Sequence, residues 1–253
     1  MTIETDLFNG LALKPIGPAD AGRGAALSAE IGWNQTEADW QYMLENGSGY
    51  GRCDDDGRLV ASAMALPYGT FGWVCMVLVS ESYRRRGLAT DLMNRVIEEL
   101  ERDGIVPGLD ATPAGQEVYK HLGFEEVYRL ERLWAERISN FTDVPETSVV
   151  ISPMSMSEIN EIASYDATIF GADRTKLLRQ LYERAPKRAF VARMGQSLAG
   201  YVLGRDGREV TQIGPVTAED GNIAFALIYR ALNGMAGGAV IDATEHQTAV
   251  IGW

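Results

Sequence analysis

Residues 77–90 read Val-Leu-Val-Ser-Glu-Ser-Tyr-Arg-Arg-Arg-Gly-Leu-Ala-Thr, and this segment decides the fold. The apolar run 73–79 that leads into it predicts a buried strand. After Gly87, every fourth residue from Leu88 to Leu100 is apolar, which is the spacing of a helix that packs on one face. The chain therefore passes from a strand through a basic turn into a helix.

The turn has the chemistry of an anion-binding loop. The first amides of a helix have no partners within the helix and carry the positive end of its dipole. Phosphate groups bind well at such a helix end, and three arginines, residues 84–86, stand directly beside this one. Gly87 lets the backbone approach the anion without an intervening Cβ. The segment therefore predicts a pyrophosphate-binding loop.

This segment resembles the acyl-CoA loop of the GNAT acetyltransferase superfamily, in which Arg/Gln-x-x-Gly-x-Gly/Ala follows a central strand. The motif is met by Arg84, Gly87 and Ala89, while Glu81 stands where the family often has Pro. The resemblance implies acetyl-CoA as the acyl donor, with its pantetheine along the strand and its pyrophosphate at the loop. The cofactor-binding residues implied in this way are Val77, Leu78, Val79, Arg84, Arg85, Arg86, Gly87, Leu88, Ala89 and Thr90.

The resemblance also implies a proton donor for the leaving thiolate. Family members carry a tyrosine in the setting Tyr-x-x-x-Gly-Phe after the fifth strand, and residues 119–124 read Tyr-Lys-His-Leu-Gly-Phe. Tyr119 is thus expected to act as a general acid; the alternative is a core aromatic whose hydroxyl faces water. The general base is left open between Glu30, Asp110 and no dedicated base. Cys75 lies in an apolar strand, where a thiol is usually inert, so we expect direct transfer without a covalent enzyme intermediate.

Composition excludes several classes of protein. The net charge of the 253 residues is −12. Of the charged residues, 24 acidic and 13 basic ones precede residue 148, and 11 acidic and 10 basic ones follow it. This balance argues against nucleic acid as a partner, because phosphate backbones require clustered Lys and Arg. No apolar run of about 18 residues occurs, so no membrane span is expected.

Cysteine and histidine are too few and too scattered for a metal site. The chain contains Cys53, Cys75, His121 and His246, and their spacing fits no zinc or redox motif. We therefore expect no metal cofactor. With no signal-peptide pattern at the N-terminus and no disulfide framework, the expected compartment is the reducing cytoplasm.

The order of the predicted elements indicates two tandem α/β domains of GNAT type. Each domain is expected to hold a mixed, mostly antiparallel sheet flanked by helices. The first, residues 1–140, carries the acetyl-CoA loop and ends in a strand over 124–134. A polar segment, 139–148, reads as a linker. The second domain, 148–253, copies the element order of the first.

The second copy departs at the loop. Residues 214–220 read Gly-Pro-Val-Thr-Ala-Glu-Asp and contain no arginine. Pro215 removes a backbone amide, and Glu219 and Asp220 would repel a pyrophosphate. We therefore expect no second acetyl-CoA site. The chain ends before the strands that should close this copy, so the sequence predicts a domain that is either truncated or closed by another element.

The acceptor is the least determined part of the prediction. The two-domain arrangement is similar to acetyltransferases of the YitH-like kind, a likeness carried by Gly-Trp-Asn-Gln-Thr at 32–36 and Phe-Gly-Ala-Asp-Arg at 170–174. We predict an acetyl-CoA-dependent N-acetyltransferase that acts on a primary amine of a small molecule or a protein. A non-catalytic acyl-CoA-binding or sensor module is the alternative, and another acyl group is equally compatible. Candidate substrate residues are Trp33, Asn34, Gln35, Trp40 and Asp173.

Overall fold

A computed structural model describes residues 8, 10–138, 147–245 and 247 of the chain. The chain divides into two compact units, residues 1–125 and 126–253, and each contains one sheet. Most of the predicted linker, His246 and residues 248–253 lie outside the described residues.

The first unit is built on a five-stranded sheet in which the strands follow chain order. All neighbouring strands are antiparallel except the last two, which are parallel. Two helices cover one face of the sheet and a third covers the other. The elements are β1 (Ala12–Pro15), α1 (Ala21–Glu30), α2 (Glu37–Asn46), β2 (Ser48–Cys53), β3 (Leu59–Tyr68), β4 (Phe71–Val79), α3 (Leu88–Arg102), β5 (Val106–Gly108) and α4 (Pro113–His121).

Local sequence explains the two covering layers. Thr36 begins α2 as the N-cap, and its amide donates a hydrogen bond to Asp39 Oδ2 at 2.8 Å. Side chains from α1 and α2, including Leu27 and Met43, pack in one core cluster with β3 and β4. The apolar stripe of α3, residues 88–100, packs in a second cluster on the opposite face of the sheet. The sheet is therefore covered on both faces.

The second unit repeats this plan. Its six-stranded sheet has the order β6-β11-β10-β9-β8-β7. The tandem α/β architecture expected from the sequence is confirmed. The elements are β6 (Leu130–Ala135), β7 (Val150–Pro153), α5 (Ile159–Phe170), α6 (Thr175–Arg184), β8 (Phe190–Met194), β9 (Ser197–Arg205), β10 (Thr211–Ala218), α7 (Gly221–Leu232) and β11 (Ala239–Thr244).

The sheet predicted from the sequence for one strand is wrong. The segment 124–134 was expected to close the first sheet, but β6 pairs antiparallel with β11 from Leu130↔Thr244 to Ala135↔Ala239. Leu133 packs against the second core, and Arg132 forms two hydrogen bonds with the Asp242 carboxylate, at 2.7 and 2.8 Å. The second sheet is thus closed by another element beside β11. The two compact units accordingly divide after residue 125, whereas the domains predicted from the sequence were 1–140 and 148–253.

Two glycines of α1 should respond in opposite ways to alanine. A Cβ on Gly24 would lie 2.3 Å from Trp40 Cδ2, whereas one on Gly22 would meet only the Glu37 side chain at 3.6 Å. We expect Gly24→Ala to destabilise the protein by about 1–3 kcal/mol through overpacking. Gly22→Ala should stabilise it by about 0.5–1 kcal/mol, because alanine is the better helix former. Urea unfolding of both variants measures the difference, and equal effects would contradict the packing of α1 on α2.

Candidate active site

The central feature of the first unit is the edge of β4 that turns away from β5. The β4–β5 pairing runs from Phe71↔Val106 to Trp73↔Gly108, whereas β4 continues to pair with β3 as far as Val79. Among the described residues, the second half of β4 is therefore paired along one edge only. The pairing of the two parallel strands ends at Trp73, and the unpaired edge of β4 beyond that residue is called the cleft here.

A β-bulge lies where the cleft begins. The β3–β4 register passes from Met64↔Cys75 to Ser62↔Leu78, which places one extra residue in β4. Met76 adopts a positive φ of 49°. Cys75 and Met76 consequently both join the core cluster on the α1–α2 face, although neighbours along a regular strand face opposite sides. Beyond the bulge, the alternation of the strand is reversed.

The bulge also determines which backbone groups line the cleft. Beyond it, the Ser80 amide donates to Val60 O at 2.8 Å, which identifies a hydrogen-bonded pair. Because such pairs alternate along antiparallel strands, Leu78 also faces β3, and the peptide groups of Val77 and Val79 point toward the open edge. Their side chains pack against the cluster on the α3 face. Two of the three predicted pantetheine residues therefore present backbone groups to the cleft.

The cleft leads directly into the basic turn. Gly87 is the N-cap of α3 with a φ of 80°, a left-handed conformation that favours glycine. Gly87 has no side chain that could cap the first turn of this helix, and uncapped helix amides suit an anion. The one acidic residue of that turn, Asp91, is engaged by Arg52 at 2.8 Å and by Arg95 at 3.4 Å. The negative charge of Asp91 is therefore balanced by these two arginines.

The three arginines are exposed around this helix end. Arg84 Nε donates to Val79 O at 3.3 Å, which joins the turn to the end of β4. Arg86 donates to Ser82 O at 3.0 Å, and its guanidinium lies 5.1 Å from the centre of the Tyr83 ring. Arg85 has a φ of 59° and is exposed. The turn thus concentrates positive charge in an otherwise acidic unit.

Tyr119 lies on α4 and packs against the same cluster as Val77 and Val79. Its ring covers Gly115, where an added Cβ would lie 3.0 Å from the hydroxyl oxygen, and meets the Phe124 ring edge-on at 6.3 Å. Burial raises the pKa of the Tyr119 phenol above its ordinary value. No hydrogen bond of this hydroxyl is found within the described part of the chain. The phenol is therefore a protonated donor without an assigned structural partner.

The remaining titratable groups have other partners. Glu30 accepts a hydrogen bond from Ser80 Oγ and lies 3.6 Å from Arg58. Asp110 accepts from Trp73 Nε1 at 3.1 Å, at the point where β4 and β5 part. Burial raises the pKa of the Cys75 thiol to about 12, so it stays protonated at neutral pH. The structure thus gives Glu30 and Asp110 structural bonds and leaves Cys75 without nucleophilic character.

The five candidate acceptor residues belong to different elements of the chain. Trp33, Asn34 and Gln35 are half-buried in the connection between α1 and α2. Trp40 is fully enclosed and donates to Ser28 Oγ at 2.9 Å, which argues against a place in a pocket wall. Asp173 belongs to the second unit, where it accepts from the Thr175 amide at 2.8 Å at the start of α6.

Two buried polar groups, on Gln35 and Ser62, lie in the first unit outside the acyl-CoA motif. The Gln35 Oε1 atom is buried and has no hydrogen-bond partner among the described residues. Ser62, which sequence reasoning missed, is fully buried and donates to Met76 O, the carbonyl at the bulge. Its signal in the sequence was a lone hydroxyl in the apolar run 59–66.

The second unit keeps the cleft but not the basic turn. Strands β10 and β11 pair only from Thr211↔Ala239 to Ile213↔Ile241, while β10 runs on beside β9 to Ala218. Asp220 caps α7, and its carboxylate accepts from the Ile223 amide at 2.8 Å. The helix end that would face an anion is therefore taken by a carboxylate of the chain itself.

No described helix is long and apolar enough to cross a membrane. No group of three or more His, Cys, Asp or Glu side chains within 10–138 and 147–245 is arranged to hold a metal ion.

Comparison with known proteins identifies two related segments. Residues 25–124 match the model of the acetyltransferase (GNAT) family, and residues 162–253 match that of an acetyltransferase (GNAT) domain. The uncharacterized N-acetyltransferase YitH of Bacillus subtilis is 21% identical over 88% of this chain and 79% of its own length. A holothin acyltransferase of a Pseudoalteromonas species is 25% identical over 68% of this chain and 57% of its own length.

Solved structures share the fold. A protein of Pyrococcus horikoshii classed as an acetyltransferase aligns with a TM-score of 0.71 at 22% identity, covering 95% of this chain and 83% of its own. A GCN5-related N-acetyltransferase of Sphaerobacter thermophilus aligns with a TM-score of 0.62 at 17% identity, covering 93% and 87%. At these identities the likeness concerns the two-unit fold.

Proposed function

The chain belongs to the GNAT family of N-acetyltransferases, and we propose that it transfers an acetyl group from acetyl-CoA directly to a primary amine. One observation carries the proposal: the open edge of β4 leads without interruption into the arginine-lined N-terminus of α3. An extended, amide-containing chain that ends in a pyrophosphate matches this sequence of groups. The second unit, which has Asp220 at the corresponding helix end, is assigned no donor.

The residues of the first unit fit the donor in two chemically distinct parts. The carbonyl of Val77 and the amide of Val79 can pair with the amides of the pantetheine as an added strand would. The first amides of α3 and the guanidinium groups of residues 84–86 can bind the pyrophosphate. Gly87 keeps the approach to those amides free of a Cβ. The donor supplies an activated acyl group, and the protein holds it beside the cleft.

The thiolate that leaves needs a proton, and Tyr119 is assigned to provide it. Its pKa is raised by burial, so the phenol is protonated at neutral pH. It packs on the side of the sheet that Val77 and Val79 face. The protonated Cys75 thiol is a poor nucleophile, which supports direct attack by the amine.

We assign the binding site of the acceptor amine to the face of the first sheet that α1 and α2 cover. There the connection that carries Trp33, Asn34 and Gln35 is half-buried. The unpartnered Gln35 Oε1 can accept a hydrogen bond from an amine N–H group. One relative is named as an acyltransferase for holothin, so acetyl, propionyl and longer acyl donors all belong in the first screen. Small amines and lysine-containing peptides are both included as acceptors.

Titration calorimetry of acetyl-CoA into the intact chain tests the proposal. We expect one donor bound per chain, because only the first unit carries the basic turn. The affinity should fall with added salt, since the arginines contribute by charge. Two donors per chain would contradict our interpretation of the second unit, and the absence of binding would contradict the proposed function. Titration of free CoA is the control, since it measures how much the acyl group contributes to the affinity.

A further inference from the structure

The bulge in β4 is held by a side chain of the neighbouring strand. Ser62 of β3 is fully buried, and its hydroxyl donates to Met76 O at 2.7 Å. A bulge leaves one residue outside the regular ladder of backbone hydrogen bonds. Ser62 provides the carbonyl of that residue with a donor, which a buried acceptor requires.

The direction of the β4 backbone depends on this bulge. Thr70 O accepts from the Val106 amide at 3.0 Å, so at the start of β4 the even-numbered residues turn toward β5. In an unbroken strand the same alternation would continue, and Leu78 would face the cleft while Val77 faced β3. The observed pairing of Leu78 with Ser62 reverses that order. One extra residue therefore changes which peptide groups the cleft presents.

We propose that Ser62 is a positioning residue which, through its hydrogen bond to Met76 O, aims the Val77 amide at the thioester carbonyl of the bound donor. The hydroxyl itself lies on the β3 side and touches no reacting atom. It holds the bulge in the one register that brings Val77 to the open edge. This inference rests on the proposed function, because it requires the acyl donor to lie along β4.

If Ser62 has this role, loss of its hydroxyl should lower kcat with little change in the affinity for the donor. The charged contacts come from the pyrophosphate turn, which begins beyond Val79 and is joined to the end of β4 by Arg84. Loss of the Ser62 hydroxyl should therefore weaken the polarisation of the carbonyl while leaving most of the binding energy in place. Donor affinity and thioester polarisation can be measured independently.

The experiment compares Ser62→Ala with the wild type by difference infrared spectroscopy of bound acetyl-CoA labelled with ¹³C at the thioester carbonyl. A hydrogen bond to that oxygen lowers the stretching frequency, and the measurement needs no amine. We expect a lowered frequency in the wild type, a return toward the solution value in Ser62→Ala, and a Kd within roughly twofold of wild type. With the best amine of the acceptor screen, kcat should fall roughly tenfold, with the KM for acetyl-CoA little changed. Ser62→Cys, which keeps a weak donor, should lie between the two.

Ser28→Ala is the matched control. Ser28 is also fully buried in the first unit, and it accepts a hydrogen bond from Trp40 away from the cleft. Its loss should lower Tm without moving the carbonyl frequency. The inference is overturned if Ser62→Ala keeps the wild-type frequency and kcat, or if Ser28→Ala reproduces its effects. A wild-type protein that binds acetyl-CoA with an unshifted carbonyl overturns the inference and leaves the donor site standing. Failure to bind acetyl-CoA overturns both.

Discussion

Gly87→Glu is expected to abolish acetyl-CoA binding, with an affinity loss of at least ~100-fold, or about 2.7 kcal/mol. Gly87 has a φ of 80°, and a Cβ there would meet only Phe8 Cε1, at 3.9 Å. The protein itself therefore has space for a side chain at this position. The loss arises on the ligand side, because the new carboxylate stands at the helix end that is proposed to hold the pyrophosphate. Titration calorimetry measures it.

Gly104→Glu provides a control matched in charge and in backbone strain. Gly104 has a φ of 71° and no atom within 4 Å of an added Cβ, and it follows the opposite end of α3. Both substitutions place a non-glycine residue in the left-handed region at a cost of about 1–2 kcal/mol. Similar Tm values with binding lost only in Gly87→Glu would support the donor site. Equal binding by the two variants would remove the turn from the site.

Tyr119→Phe is expected to lower kcat by at least about 100-fold while leaving the Kd for acetyl-CoA unchanged. General acid catalysis contributes roughly 10²–10⁴-fold. The described residues give the Tyr119 hydroxyl no hydrogen bond, so its removal should cost little stability. Tyr182→Phe, on a half-buried tyrosine of the second unit, is the control and should leave kcat unaffected. Turnover preserved in Tyr119→Phe would assign Tyr119 to packing alone.

The pH dependence offers a second test of Tyr119. Its pKa is raised by burial from the ordinary value of 10.0, so the phenol remains a proton donor through neutral and mildly alkaline solution. A general acid loses activity only as the pH rises through its pKa. Below pH 10.0, therefore, deprotonation of Tyr119 should cause no fall in the kcat of the wild type, and the pH profiles of the wild type and Tyr119→Phe should have the same shape there. A fall confined to the wild type would assign the phenol a lowered pKa and contradict the burial argument.

Local patterns sufficed for the elements of the site. The apolar run before residue 80 and the four-residue spacing after Gly87 correctly predicted β4 and α3, because each element has a buried face of its own period. Elements that are defined by a local pattern, a strand and the helix that follows it, were thus predictable from the sequence.

Two features depended on information that periodicity does not carry. The sequence predicted a strand over 124–134, but the choice of sheet is made by pairing with β11, which lies more than 100 residues away along the chain. The bulge at Met76 depends on cross-strand register and on the Ser62 hydroxyl, and neither leaves a pattern within β4 itself. Long-range pairing therefore accounts for the strand that was assigned to the wrong sheet and for the bulge that was not predicted.

The placement of β6 has a consequence for how the chain can be divided. The repeating pattern of the sequence and the compact units of the structure are out of phase by one strand, since β6 precedes the polar segment 139–148 yet belongs to the sheet beyond it. A fragment cut at that segment would remove β6 from the sheet and leave the backbone amides and carbonyls along one edge of β11 unpaired. An independently expressed second half should instead start near Glu126, so that its sheet keeps β6 as its edge strand.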